Sequence, residues 1–591
     1  MEEQVLQALA SSARGPLKPK ELARELDVPT AEYRRFKRLL TGMERAGRIY
    51  RVKGNRYGIP GRMDLSVGAA SLTRNGDAFV RPEDGSGDIF VPSMNLQSTM
   101  DGDRVVVRIE GRPPGRSPVG RVIKILERAR HNVVGTIHRA KRFWYVVPLD
   151  RRLSRDVLVP EGDRGGASDG DVVVVRFISY GEEGVAPAGE VTEVLGPLSD
   201  PGVDVLAVAH SYGLSLEFPK EVMEEAESAG ARAREAPGED RVDLTDALVL
   251  TIDPADAKDH DDALSLRPLQ DGRWEVGVHI ADVSHHVPEG SAVDREARER
   301  GTSVYLVDRV IPMLPEALSG DACSLREGVE RLAVSVFLTL DGSGSVLDQR
   351  FQRTLVRSRH RLSYEVVQEV LDGRRSLERE VDEALRHLDD LARAVRRRRT
   401  GRGALDLDLP EARVLLDREG VPLDIQKEER LEAHRLIEDF MILANEAVAR
   451  ACQARELPVL YRVHEPPARE AAEELGTFLQ RFGLRLPRRK KLRPADVQKL
   501  LDAVRGRPEE QLLSTVVLRS LQRARYDPDN LGHFGLASRA YLHFTSPIRR
   551  YPDLVVHREV VRSLVLGNPP RERDPDELKS LADQTSARER A

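Results

Sequence analysis

The run ALVLTIDPADAKDHDDALSL, residues 247–266, decides the reading of this 591-residue chain, because Asp253, Asp259, Asp261 and Asp262 fall within ten residues of one another. Ahead of Asp253, the apolar Leu248, Val249, Leu250 and Ile252 predict a buried strand that delivers the first carboxylate at its end, where Pro254 stops it. At an effective dielectric of ~20, two carboxylates about 4 Å apart repel by roughly 4 kcal/mol, so a partly buried group of four needs a cation. Hard carboxylate oxygens with no adjacent cysteine point to Mg²⁺, with Mn²⁺ as a substitute, and a pair of such ions suits in-line attack on a phosphodiester. The alternatives are an acidic surface turn and a calcium loop. Counted from Asp259, however, the EF-hand template meets Ala263, Leu264 and Gln270 where it needs a ligand, a Gly and a Glu.

The chain is too long for a single core, and 40% hydrophobic with 32% charged residues is ordinary for a soluble protein of three to five domains. Two cysteines, Cys323 and Cys452, give neither a disulfide framework nor a cysteine-based zinc module, which fits a reducing cytoplasm. The opening MEEQVLQALASSARG has no basic start with a long apolar core, and no stretch approaches the ~20 apolar residues of a membrane span, so neither a signal nor a membrane partner is expected. Net charge is −5, yet residues 1–60 hold 13 Lys/Arg against 7 Asp/Glu, so the basic charge is local.

Residues 18–60 place Leu22 and Leu26, then Tyr33, Phe36, Leu40 and Met43, at helical spacing. Gly47 ends the second helix, and Ile49, Tyr50 and Val52 run through Lys53-Gly54-Asn55 to Tyr57 and Ile59, a basic hairpin. The pattern over residues 1–60 resembles a winged helix-turn-helix, a module that touches nucleic acid or docks proteins.

From about 62 to 197 short strands are punctuated by Gly, Asp and Pro twice over, in GDAFVRPEDGSGDIFVP and FWYVVPLDRRLSRDVLVP. This predicts tandem cold-shock β-barrels of the OB type over 61–127 and 128–197. Phe79 and Phe90, and Phe143, Trp144 and Tyr145 beside Lys141 and Arg142, are candidate stacking rings for single strands, although a small barrel needs alternate rings inside. Residues 198–240 read as a connector with helical character at 221–234, 241–565 as a mixed α+β catalytic region, and 566–591 as a charged helical segment. Within the catalytic region a hairpin turns at Asp271-Gly272, and LEAHRLIEDFMILANEAVARA is an amphipathic helix. The fold class is thus multidomain α/β.

The motifs TIDPADAKDHDDA, VGVHIADVSHHV, GTSVYLVDRVIPMLPEALS, RLIEDFMILAN and HFTSPIRRYPDL, in this order, closely resemble the ribonuclease II (RNB) family catalytic domain. The module ahead of two cold-shock barrels extends the likeness to the ribonuclease R members of that family, over nearly the whole chain. The resemblance implies a Mg²⁺-dependent, processive 3′→5′ exoribonuclease, a monomer. It would act on single-stranded RNA with a free 3′ end, and on structured RNA, releasing nucleoside 5′-monophosphates. Ribosomal and RNA-decay partners are left open.

By motif position Asp253 and Asp262 would be the principal metal ligands, Asp259 a further ligand or a residue that holds a ligand in place, and Asp261 the carboxylate tied to water activation. Arg549 would contact the scissile phosphate and Arg550 would be structural. Tyr305 would stack on the terminal base, with Tyr364 and Glu438 near the terminal nucleotides and their 2′-hydroxyls.

Two departures stand out. Leu407 replaces the Phe that forms the other jaw of the base clamp, removing aromatic stacking worth ~1 to 3 kcal/mol per base. The sequence also stops within DELKSLADQTSARERA, where relatives continue into a basic S1-type barrel, so that barrel is expected to be absent. Two other signals are read against: a zinc set of His279, Asp282, His285 and His286, because strand geometry points the first two to opposite faces, and the basic runs Arg396–Arg399 and Pro487–Pro494 as RNA approaches.

Overall fold

The computed structural model describes all residues except 13–14, 53, 74, 154, 182–184, 233–239, 407–410, 488–490 and 591. The chain divides into two compact units, Met1–Leu214 with Glu419–Val421, and Ser215–Arg418 with Pro422–Ala591.

The first unit opens with helices Glu2–Ser11, Pro19–Glu25 and Tyr33–Arg45 and a hairpin of Tyr50–Val52 with Arg56–Gly58. The periodic residues Leu22, Phe36, Leu40 and Met43 are buried as their spacing predicts, together with Tyr57 of the hairpin. The first helix, unforeseen, adds Val5, Ala8 and Leu9 to this core. Gly47 leaves the third helix at φ +71°, where an added Cβ would lie about 3.1 Å from Val67 of the next barrel; only glycine satisfies both demands.

Two closed five-stranded barrels follow. Leu65–Leu72, Ala78–Pro82, Ile89–Val91, Arg104–Gly111 and Val119–Glu127 form the first, and Asn132–Arg139, Trp144–Pro148, Val157–Val159, Asp171–Ser179 and Ala188–Pro197 the second. Alternation along each strand points Val80, Val105, Val107 and Val122 into the first interior and Val133, Ile137, Val146 and Val173 into the second. The predicted connector is not one element. Helix Val203–Ser211 packs Val203 and Ala207 on Val134, Val172 and Val174 of the second barrel, whereas helix Lys220–Arg232 buries Val222, Ala226 and Ala229 in the second unit's core.

That second unit is built on a third closed barrel of Val242–Asp253, Asp262–Pro268, Trp274–Ala281, Glu330–Leu340 and Val346–Ser363. Neighbours are antiparallel except the closing pair, which is parallel and ends at Asp253↔Ser363. The hairpin turns at Asp271-Gly272 as expected, with Pro268 opposite Trp274, and Val276, Val278 and Ile280 share one core with Phe440 and Leu443 of helix Glu432–Ala454. The charged terminal segment is helix Pro575–Arg590. Leu578, Leu581 and Ala582 recur at helical spacing, so one face is buried beside Tyr526 and Leu554, while Lys579 pairs with Asp527 at 3.0 Å.

The histidine set holds no zinc arrangement. His279 points inward between the hydroxyls of Ser335 at 2.7 Å and Ser265 at 2.8 Å, in space that a Cβ on Gly277 would occupy. Asp282 instead receives Arg241 at 2.6 Å and Arg353 at 3.3 Å. Burial pushes the His279 imidazole down to about 4, below its unfolded value of 6.5. A depressed folded pKa gives stability that is present above the unfolded value and lost as pH falls through the folded one. His279→Gln is therefore expected to lose less stability than the parent chain between pH 6.5 and 4, by up to about 3 kcal/mol, as measured by denaturant unfolding at stepped pH.

Candidate functional site

Barrel closure creates the site. The register Val249↔Ser265 and Leu250↔Leu264 brings the end of one strand, Asp253, and the start of the next, Asp262, to the same rim, with residues 254–261 looping between them. Across the closing pair Asp253 meets Ser363, whose hydroxyl caps the helix that begins at Tyr364. The loop is pinned at its base. The Ala281 amide donates to the Asp261 carbonyl at 2.9 Å, and the Ser324 hydroxyl accepts from the His260 amide and donates to the Lys258 carbonyl, both at 3.0 Å. A further aspartate of the run, Asp256, is exposed.

Three segments converge on the rim. The Ile548 amide donates to Asp261 Oδ1 at 2.9 Å, which sets Arg549 Nε 3.9 Å from Asp261 Oδ2. The neighbouring Arg550 turns away into a bidentate pair with buried Asp553 at 2.9 and 2.7 Å, leaving Arg549 as the guanidinium facing the aspartates. The Ser303 amide and Thr302 hydroxyl both bond the Arg549 carbonyl, tying that segment to the strand that carries Tyr305. Tyr305 is 53% exposed, so its ring has a free face, and its hydroxyl donates to Asp259 at 3.3 Å. Tyr364 packs on His434, with ring centroids 4.1 Å apart.

Glu438 lies one helical turn beyond His434. Its carboxylate accepts from Arg430 at 2.6 Å and lines a cavity of about 190 Å³ with Asp406 and Leu536. Helix and rim are joined through Asn445, which accepts from the Phe544 amide at 2.8 Å.

Burial and mutual repulsion oppose full ionisation of the rim carboxyls. Burial, with Asp253 beside it, pushes the Asp262 carboxyl up to about 8. Burial likewise holds Asp261 well above the carboxylate range, reinforced by Asp262 and Asp259 and opposed by Arg549 and the Ile548 amide. The Tyr364 phenol is raised by burial and then by Asp262 and Asp253, which places it beside the same charges. Among the described residues no three His, Cys, Asp or Glu side chains converge tightly enough to cage an ion by themselves. The donor set is hard oxygen, spread along an open rim.

Sequence reasoning passed over His260, whose buried imidazole Nδ1 lies 2.7 Å from Asp253 Oδ2; its only signal was a polar ring inside a carboxylate run. Trp144 is a correction. Strand alternation sends it with Val146 into the second barrel, where its indole donates to Glu161 at 2.7 Å, and turns Phe143 and Tyr145 outward instead. In the first barrel Phe79 and Phe90 pair across strands with centroids 5.4 Å apart, Phe79 being exposed. Of the basic run, Arg396 and Arg399 turn inward to Asp439 at 2.7 and 2.8 Å. Leu407 and residues 488–490 lie outside the described residues.

A barrel rim of carboxylates facing Arg549, in a chain with two oligonucleotide-type barrels, defines a phosphodiester hydrolase that works on nucleic acid. The RNB domain model matches residues 241–565, the Ribonuclease B OB domain model 68–125 and the Cold shock domain model 145–219. Ribonuclease R of Thermotoga maritima is 42% identical over 550 residues, 92% of this chain and 77% of that protein. The structure of Mycoplasma genitalium RNase R in complex with ribose methylated single-stranded RNA superposes with a TM-score of 0.83 at 26% identity, covering 88% of this chain and 84% of that one. Its complex with double-stranded RNA gives a TM-score of 0.75 at 26% identity, over 83% and 86%. The chain belongs to the RNB family, as a homologue of ribonuclease R, and is an exoribonuclease.

The two adjacent arginines separate site from scaffold. Arg550→Ala strands the buried Asp553 carboxylate and is expected to cost roughly 3 to 5 kcal/mol, whereas Arg549→Ala is expected to leave the melting temperature nearly unchanged in thermal denaturation.

Proposed function

We propose that the chain removes nucleoside 5′-monophosphates one at a time from the 3′ end of RNA, with Asp253, Asp259, Asp261 and Asp262 holding Mg²⁺. The observation that carries this reading is the excess charge of the rim, where Asp262 is pushed up to about 8 and Asp261 also rises despite Arg549. A bound cation would favour the ionised form that burial opposes. An all-oxygen, open donor set suits Mg²⁺ in particular, which keeps several waters and takes one or two carboxylates together with substrate phosphate. When bound, one ion or a pair supplies Lewis-acid polarisation of the phosphodiester and activation of water.

The chain's own residues do the positioning. Asp253 and Asp262, delivered by two strand ends, are the principal ligands and Asp259 a further one. Asp261, with one oxygen already taken by the Ile548 amide, orients the attacking water. Arg549 reaches the scissile phosphate and balances charge that develops there. The exposed Tyr305 ring stacks on the last base, its hydroxyl held by Asp259, while Tyr364 and Glu438 recognise the terminal riboses and favour RNA over DNA.

The first unit binds the strand. Phe79 and Phe90, and the outward Phe143 and Tyr145, offer stacking faces, and the basic N-terminal module acts as a winged helix on nucleic acid. The M. genitalium protein's complexes with single- and double-stranded RNA support both substrate forms. Cys323 and Cys452 are buried and unpaired, in keeping with a reducing cytoplasm, and among the described residues no helix is long and apolar enough to cross a membrane.

A 5′-labelled single-stranded RNA incubated with Mg²⁺ and followed on a denaturing gel tests the reading. The expected outcome is collapse to a short limit product. Activity should fall at least about a thousandfold in Asp261→Asn while RNA binding persists, and should be absent on DNA of equal sequence. Cleavage that survives chelation of divalent ions, or binding without cleavage, would sink it. Phe79→Ala is expected to weaken single-strand binding by about 1 to 3 kcal/mol without changing the limit product.

A further inference from the structure

We propose that His260 is a positioning residue for Asp253, donating its Nδ1–H to one carboxylate oxygen so that the other is held ready for the cation. The inference rests on the reading of the rim as a metal site. An ionised carboxylate only accepts hydrogen bonds, so at 2.7 Å from Asp253 Oδ2 the ring nitrogen must be the donor.

The backbone that carries the imidazole is anchored by three hydrogen bonds. The His260 amide donates to Ser324 Oγ at 3.0 Å, the same hydroxyl binds the Lys258 carbonyl at 3.0 Å, and the Leu325 amide donates to the His260 carbonyl at 3.0 Å. Residues 324 and 325 thus fix the backbone of the loop, and the loop fixes the ring. The position is not a slot in the apolar core, because the residue also lines a cavity of about 460 Å³ with Lys258, Glu316, Arg326, Glu327 and Arg361. An imidazole whose backbone is clamped and whose Nδ1 meets a strand-end carboxylate is suited to orienting that carboxylate.

Three rim carboxylates then have separate holders: His260 for Asp253, the Ile548 amide for Asp261 and the Tyr305 hydroxyl for Asp259. Outer partners of this kind set the angle at which a ligand oxygen is offered, and losing one commonly costs ten- to a hundredfold in metal affinity.

Geometry gives a test that packing alone would not pass. Asparagine carries an N–H at the place of imidazole Nδ1, glutamine carries one near Nε2, and leucine fills the volume with no donor. Mn²⁺ binding to the full chain without RNA is measured by calorimetry, alongside kcat and KM on single-stranded RNA. Expected for His260→Leu and His260→Gln is a ten- to hundredfold weaker Mn²⁺ affinity and a lower kcat at unchanged KM, with His260→Asn restoring affinity to within about threefold of the parent. Ser324→Ala, which releases the anchor and leaves the ring intact, serves where a position-260 variant fails to fold, and a severalfold loss is expected. Parental Mn²⁺ affinity in the Leu or Ser324→Ala variant, or rescue by Gln equal to that by Asn, would overturn the proposal. Asp253→Asn in the same titration separates the two levels: its loss of Mn²⁺ binding beside a normal His260→Leu overturns positioning alone, and parental binding in Asp253→Asn overturns the metal site with it.

Discussion

The parallel pairing of Val242–Asp253 with Val346–Ser363 is the constraint on which the catalytic unit depends. Four of the barrel's five strand pairs are antiparallel, three of them across short connections and one across residues 282–329, whereas the closing pair joins the first strand to the last across about a hundred residues of chain. That closure removes the sheet's free edges, and it also decides which strand ends share a rim. Asp253 comes to lie beside Ser363 and Tyr364 because the register forces it, with Asp262 arriving at the same rim through its own pairing.

Once the strand ends meet, electrostatics governs the rest. Negative side chains are driven together by backbone geometry against their own repulsion, and Arg549 faces them with its Nε 3.9 Å from Asp261. Arg550 is committed to Asp553, which keeps the loop shape, and its charge reaches Asp262 only from a distance. The surplus that remains is what a divalent cation and an approaching phosphate are suited to share. The site is assembled from separate parts of the chain, around residues 253–262, 305, 364 and 549, and each is held by backbone hydrogen bonds rather than by contacts among the functional groups alone.

Charged stretches behave according to their spacing rather than their composition. The run at Arg396–Arg399 looks like a surface track, yet Arg396 and Arg399 turn to the buried Asp439, three residues apart on one helix face. The terminal segment reads as a charged helix, and Leu578, Leu581 and Ala582 on one of its faces complete the core beside Tyr526. In each case a minority of residues at helical spacing outweighs the average polarity of the segment, because burial acts on a face and not on a stretch.

The strand before Asp253, the turn at Asp271-Gly272, the long helix Glu432–Ala454 and the two small barrels were all legible from periodicity, turn chemistry and motif order. These are local properties, written within a few residues of where they act. What only the tertiary structure decided was which local pieces meet. It assigned Trp144 to the barrel interior and Phe143 to its surface, a choice that a one-residue change of register would reverse. It split the connector between two units and recruited the first helix to a core. It also brought His260 to Asp253, seven residues away along a loop whose path depends on Ser324, on a segment more than sixty residues downstream. Contacts of that kind are fixed by the closure of the barrel and not by spacing along the chain, which is why the chemistry was readable in the sequence and its support was not.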